Sequence, residues 1–365
     1  MRAGAIVILG EHAGEHAQRK AIGILGNGTP GNGTQPGNEE AEWLDGAPIA
    51  SLELLGQSAL RRTVNYLRQA GADSVSFVAK PGLSDVIANT CGPVGSHVLI
   101  DHSDVPGFVL RRVAEECLRN GTNTLVLIRL GAYVEYDLDD LLQFHRAKSK
   151  SVTRVYDNDG PLDFWVVDAA RFSRGELDIF AHSDAVARYD RTSYVNRLVH
   201  AADVRHLIVD AFSLRHSIRP LGAEISPGVW LDTNAWLHPK ARVAGPVYIG
   251  REVRVQSTAF VARYSSVESS CNVGCGTVVA EASILAHTYL GAWLDVSHSV
   301  VYGSRVANLR HNVVVDIKDD RLIRRIIAAP PFRRFFPGPR EFQRPDRQSE
   351  PSTPAWQADD KKHER

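Results

Sequence analysis

From Ile225 onward an aliphatic residue returns at every sixth position: Ile225, Leu231, Leu237, Val243, Ile249, Val255, Val261, Val267, Val273, Val279 and Leu285. Two positions before each stands a small or β-branched residue, among them Ala235, Ala259, Ser265, Cys271 and Thr277. Neither a helical period of 3.6 nor a strand alternation of 2 holds such a register for sixty residues. A fixed repeat of six predicts a parallel β-helix, in which three hexads make one triangular coil and the aliphatic residue points inward. Each buried aliphatic contributes about 1.5–3 kcal/mol before chain entropy is subtracted, so no coil stands alone and the coils form a stack. The fifth residue after each inward position faces out, which puts Trp230, Trp236 and Tyr248 on the surface. Trp230 and Tyr248 lie eighteen residues apart and stack on one face, read as the surface on which another domain docks. After Leu285 the register slips by one, to Leu290 and Val296.

The chain before residue 219 patterns differently. Apolar runs predict strands at Ala5–Leu9, Ser74–Ala79, His97–Ile100, Thr124–Ile128, Val152–Tyr156, Phe164–Asp168 and Val204–Val209. Helical spacing predicts Gln57–Ala70, with Leu60, Val64 and Leu67 on one face and Gly71 past its end, and also Phe108–Arg119 and Leu138–Ala147. Alternating strands and helices predict a doubly wound, mainly parallel sheet, which binds ligands at the carboxyl ends of its strands. The expected domains are 1–218, 219–318 for the β-helix, and 319–365 for a short helix and disordered tail. Within the first, 26–46 is a flexible insert carrying GNGT twice, and Asp319–Ala328 is expected to form the short amphipathic helix.

Composition narrows the function. Over 365 residues, 42 basic side chains balance 42 acidic ones, which argues against a nucleic-acid partner. Four scattered cysteines do not make a disulfide scaffold. No apolar run approaches a membrane span, and Met1–Leu9 lacks the apolar core of a signal peptide, so a cytoplasmic protein is expected. His12-Ala-Gly-Glu-His16 has a metalloprotease-like spacing, but its central glycine and missing apolar face fit a polar loop. Cys271 and Cys275 lack a second pair, and Cys271 occupies a small inward slot, so packing is its expected role.

An α/β domain followed by hexapeptide repeats resembles the sugar-1-phosphate nucleotidylyltransferases, in order and length most like the mannose-1-phosphate guanylyltransferase group. Three stretches carry the resemblance: Pro48–Leu60 with the helix after it, Leu125–Ile128 with Asp137–His145, and Ser299–Arg310. It implies a Rossmann-like doubly wound nucleotidyltransferase domain and a left-handed parallel β-helix. It also implies a glycine-rich loop for the nucleotide phosphates, a magnesium ion held by aspartates, and a sugar phosphate or nucleotide sugar as ligand. The chain departs from that pattern. The loop reads Gly10-Glu-His-Ala-Gly14, leaving Gly10 and Gly14 as nucleotide-binding candidates without the family's Thr-Arg. Ile49 stands for the family's lysine and Gly131 for its first metal aspartate; Asp210 is the candidate for the second. The glutamate-lysine-proline segment that contacts the sugar phosphate is absent.

Three functions follow. The losses favour a nucleotide-sugar-pathway protein with a degenerate site, acting as a binding or regulatory subunit, either as a homo-oligomer or beside an active nucleotidyltransferase. The second is an active enzyme using magnesium through another carboxylate such as Asp137 or Asp210. The third rests on Ala286-His-Thr-Tyr-Leu-Gly291, which resembles a segment of β-helix acetyltransferases. There His287 would be a general base and acyl-CoA the co-substrate, against the alternative of a solvent-facing or stacking histidine.

Overall fold

A computed structural model describes residues 3–9, 48–79, 83, 87–88, 98–100, 108–148, 150–177, 179 and 186–327. Seven strands form the first sheet: β1 (Ala3–Leu9), β2 (Ser74–Ala79), β3 (Val98–Ile100), β4 (Thr124–Arg129), β5 (Val152–Asp157), β6 (Gly160–Asp168) and β7 (Val186–Tyr189). Their order is β7-β5-β6-β4-β1-β2-β3. β4, β1, β2 and β3 run parallel, while β6 lies antiparallel between β4 and β5. The helices are α1 (Ala59–Gln69), α2 (Phe108–Arg119), α3 (Leu138–Ala147), α4 (Ala169–Ser173) and α5 (Ala201–Phe212).

The apolar run of β1 is buried on both faces, as a central parallel strand must be. Ala5, Val7 and Leu9 pack with Leu60, Val64 and Leu67 of α1 and Leu141 of α3, while Ile6 packs with Val109 and Val113 of α2 on the other face. The Ser58 hydroxyl caps α1 by accepting from the Arg61 amide at 3.2 Å, and Asp137 caps α3 by accepting from Asp139 and Asp140 at 2.9 and 3.1 Å. The mixed α/β architecture expected of this part is therefore present, and its strand order reverses beside β1.

Two elements differ from expectation. Val204–Val209 lies inside α5 and is no strand. Its buried residues Ala201, Val204, Leu207, Ile208 and Ala211 recur at helical spacing, and the Asp203 carboxylate accepts from the Val199 and His200 amides to start the helix. The short apolar stretch Leu207–Val209 beside Val204 conceals that periodicity. Asp319–Ala328, read as a helix, instead contains the strand Ile323–Arg325, paired antiparallel with Thr288–Leu290. Ile323 is buried, and the open edge of Thr288–Leu290 captures its backbone.

From Ala223 onward, short strands are visited by three sheets in rotation. Val229–Leu231, Val247–Ile249 and Ser265–Val267 are parallel neighbours in the first, with partners eighteen residues apart. Trp236–Leu237, Arg254–Val255 and Asn272–Val273 follow the same rule in the second, and Arg242–Ala244, Phe260–Ala262 and Val278–Ala280 in the third. The inward column is Ile249, Val255, Val261, Val267, Val273 and Val279, continuing to Ile284, Leu290 and Val296, all buried in one cluster. The register shift therefore falls one step earlier than the spacing indicated, since Val267 pairs with Ile284 at a distance of seventeen. Leu285 is turned away from that cluster. Small residues close the corners through backbone contacts, as when Thr277 Oγ1 donates to the Gly291 carbonyl at 2.6 Å. Antiparallel strands cover both ends of the first sheet, Ala223–Ser226 at one and Arg305–Asn308 with Val313–Asp316 at the other.

The two regions share a core and belong to one compact unit. Leu54 and Leu55, with Val204, Leu207 and Ile208 of α5, pack against Tyr248, Leu285 and Val300. Trp230 pairs with Tyr248 in register and stacks near Phe212 at 5.6 Å between ring centroids. The docking role expected of that outward aromatic face is met, whereas Trp236 stands on another sheet and is exposed. Among the described residues no helix is long and apolar enough to cross a membrane.

Candidate functional site

A cavity of about 280 Å³ opens where β4 ends. Such a position, at the carboxyl ends of parallel strands beside a reversal of strand order, is where open α/β sheets take their ligands. Arg129, the last residue of β4, enters the wall together with Arg62, Tyr66 and Gln69 of α1 and Leu162–Phe164 of β6. A two-stranded ribbon of Tyr133–Glu135 and Tyr194–Asn196 closes one side, and Ser217 and Ile218 line it where the chain leaves for the second region.

The carboxylates in this wall are already engaged. Glu135 accepts from the Ser217 amide at 2.6 Å, from the Ser217 hydroxyl and from the Tyr133 hydroxyl. Burial alone would raise its pKa, but the Ser217 and Tyr133 hydrogen bonds outweigh it and hold the acid below the ordinary range. Burial, reinforced by the bond to Glu135, pushes the Tyr133 phenol well up. Asp163 pairs with Arg154 at 3.3 Å, both side chains nearly buried.

The donors are less fully satisfied. Arg129 is half-buried and has no carboxylate partner among the described residues. Arg62 donates from Nη2 to the Leu54 carbonyl at 2.5 Å, but its Nε is buried without a partner among the described residues. Burial lowers its pKa, with Glu268 and the Tyr133 phenol opposing the shift. The Tyr136 hydroxyl is likewise buried without a described partner, its ring set between those of Tyr66 and Phe164. Burial pushes Tyr66 up to about 12, and its hydroxyl donates to the Tyr136 carbonyl. Unpaired donors beside aromatic faces, with satisfied acids, suit an anionic ligand carrying acceptor oxygens.

The sequence-derived candidates do not assemble here. Gly10 and Gly14 lie outside the described residues, as do the His12–His16 spacing and the 26–46 insert. Asp210 sits on α5, where it accepts from the Tyr194 hydroxyl at 2.8 Å and pairs with Arg215 at 3.1 Å. Asp137 is the exposed cap of α3. His287 occupies a corner of the second region with φ +60°, and its backbone accepts from Ile326 and donates to Ser269. Cys271 is buried as expected of a packing residue, and its thiol approaches the Leu285 carbonyl at 3.1 Å. Among the described residues, no cluster of three His, Cys, Asp or Glu side chains is placed to hold a metal ion. Sequence reading missed Arg129, Arg62, Tyr136 and Glu135. Arg129 left one signal, a charge closing the apolar run Thr124–Ile128 at the end of a strand expected to bear ligands.

No family model matches the chain, and no curated protein matches it.

Proposed function

We propose that the chain is a nucleotide-sugar-pathway protein that binds a sugar phosphate or nucleotide sugar at the β4 end without transferring a nucleotidyl group. Its first region is read as nucleotidyltransferase-like. The second is read as a left-handed parallel β-helix, a reading supported by three sheets visited in rotation with partners eighteen residues apart. The observation that carries the functional proposal is the state of the cavity wall: Arg129 has no carboxylate partner among the described residues, while Glu135 and Asp163 are both committed to protein partners.

The magnesium implied by the family resemblance does not fit the described residues. Gly131 offers no side-chain oxygen, Asp137 caps a helix, and Asp210 is held by Tyr194 and Arg215. Freeing Glu135 for a metal would strand the Ser217 amide and two hydroxyls. A binding or regulatory subunit in the cytoplasm, self-associated or beside an active nucleotidyltransferase, is the role this wall supports best.

The test pairs turnover with binding. Pyrophosphate release is measured with nucleoside triphosphates crossed with mannose-, glucose- and N-acetylglucosamine-1-phosphate in the presence of magnesium. Nucleotide-sugar binding is measured by calorimetry on wild type and Arg129→Ala. Silence in the first assay, with binding that weakens in Arg129→Ala, supports the proposal. Pyrophosphate release above a sugar-free blank overturns its non-catalytic part, and absence of binding overturns the ligand class.

A further inference from the structure

One corner of the stacked sheets changes construction partway along. Between the third sheet and the first, the chain takes two left-handed residues, Arg263 and Tyr264, both at φ +57°. At the next two corners it takes one each, Glu281 and His298, both at φ +51°. The strand partners across those turns are accordingly seventeen apart, as in Val267 with Ile284 and Ile284 with Val301. Tyr264 reaches Phe212 of α5, with ring centroids 6.2 Å apart. A corner shorter by one residue carries no second side chain to fill the equivalent space. Beside α5 lies a groove of about 570 Å³, lined by Arg205, Val209, Glu281, His298, Leu309 and Arg310.

Its charges do not balance. Arg205 is only 6% exposed, yet its one hydrogen bond among the described residues runs from Nη1 to the Tyr264 carbonyl. Burial lowers its pKa to about 10, and Glu281 is the charge that opposes this. Glu281 is shared, lying 3.2 Å from His298 Nδ1 and 3.9 Å from Arg263 Nη1. Arg310 stands at the rim, exposed and with no carboxylate partner among the described residues. The groove wall thus holds one carboxylate with two guanidinium groups and an imidazole, and that carboxylate is also drawn on by Arg263 outside the groove. A buried guanidinium retained without a carboxylate in contact is costly unless an anion completes it.

We propose that this groove is a second binding site, for a phosphoryl group. The Arg205 fork holds it from beneath, Arg310 closes over it from the rim, and Val209 with Leu309 covers any apolar portion of the molecule. The site shares no lining residue with the cavity at the end of β4. It stands whether or not that cavity takes a nucleotide sugar.

Calorimetric titration of the full chain at constant ionic strength tests it, with sodium phosphate and glycerol 3-phosphate as separate probes. An Arg129→Ala background removes the one guanidinium of the other cavity that has no hydrogen-bond partner among the described residues, leaving Arg62, which is held by the Leu54 carbonyl. In that background, saturable binding is expected, weakened at least about tenfold by Arg310→Glu or Arg205→Lys. Tighter binding of glycerol 3-phosphate assigns an organic phosphate; equal affinities assign free phosphate. Arg310 is exposed, so its variant reads the site even where Arg205→Lys disturbs folding. Absence of saturable heat, or an isotherm unmoved by Arg310→Glu, overturns the proposal. Failure of the β4-end reading is seen separately, as nucleotide-sugar binding unaffected by Arg129→Ala.

Discussion

Glu53 and Glu268 reach across the boundary between the two regions in opposite directions. Glu268, fully buried, accepts from the Leu55 and Gly56 amides at 3.0 Å each, while Glu53 accepts from the Ser269 amide at 3.3 Å. Glu53–Leu54 pairs antiparallel with Gln57–Ser58 in a short hairpin, and Arg62 holds that hairpin from the other side through the Leu54 carbonyl. The hairpin is therefore clamped on its amide side by the second region and on its carbonyl side by α1. Arg62 also lines the cavity.

Removing this clamp is expected to be costly. Glu268→Ala strips the acceptor from the buried Leu55 amide and from the part-buried Gly56 amide, a loss of about 1–3 kcal/mol. Chemical denaturation monitored at the tryptophans measures it, and a change under about 1 kcal/mol would refute the clamp.

The same residue sets a pH dependence. Burial, then the neighbouring Glu53 charge, pushes Glu268 up to about 7 from its ordinary 4.5, although the Gly56 and Leu55 amides favour the ionised form. The folded state keeps a proton that the unfolded chain releases between those values. Stability from this group is full below about 4.5, declines as pH rises, and is lost above about 7. Thermal midpoints from about pH 5 to 8 should fall in wild type and flatten in Glu268→Gln. Parallel slopes in the two proteins would count against it.

Gly56 distinguishes strain from collision. It has φ +92°, and an added Cβ would lie 2.4 Å from the Tyr248 hydroxyl and 3.1 Å from Leu221. Gly71 has a similar φ of +83° but nothing within 4 Å. Gly71→Ala should cost about 1 kcal/mol, the backbone penalty alone, and Gly56→Ala clearly more. Equal denaturation midpoints for the two variants would remove the collision from the account.

Tyr136→Phe removes a buried hydroxyl that has no partner among the described residues. Stability should hold or rise by up to about 1 kcal/mol, while nucleotide-sugar affinity falls if that hydroxyl meets the ligand. A destabilised variant would reveal a partner for the hydroxyl.

Thiol reactivity should separate the three cysteines among the described residues. Cys275 is exposed, whereas Cys117 and Cys271 are buried and burial pushes both thiols up. A neutral-pH thiol reagent should modify Cys275 in the folded protein and reach the other two only with denaturant, as peptide mapping would show.

The stacked region is legible in the sequence because each coil repeats the same demand for an inward aliphatic, and a repeated demand survives local noise. The shortened corners displace the count, sending Leu285 out to the shared core, and Ile225, expected to point inward, is exposed on the antiparallel strand that covers one end of the first sheet. The α5 helix is hidden because Leu207–Val209 beside Val204 is an apolar stretch too short to tell a helix from a strand, although Val204, Leu207 and Ile208 all face the one shared core. The cavity is harder. Arg129 and Tyr136 matter for what they lack, and pairing is a property of three-dimensional neighbours that spacing along the chain does not encode.

The clamp also has a history within each molecule's synthesis. The Leu55 amide waits for a carboxylate 213 residues further along. At a ribosomal pace of about 5–20 residues per second, that is roughly 10–40 s during which the hairpin is made but unheld. Through that interval Leu54 and Leu55 lack the stacked surface that later covers them, leaving a greasy handle for whatever meets nascent chains. The first half of this protein is finished by its second half, and a message cut short before Glu268 would yield a product with that handle permanently uncovered.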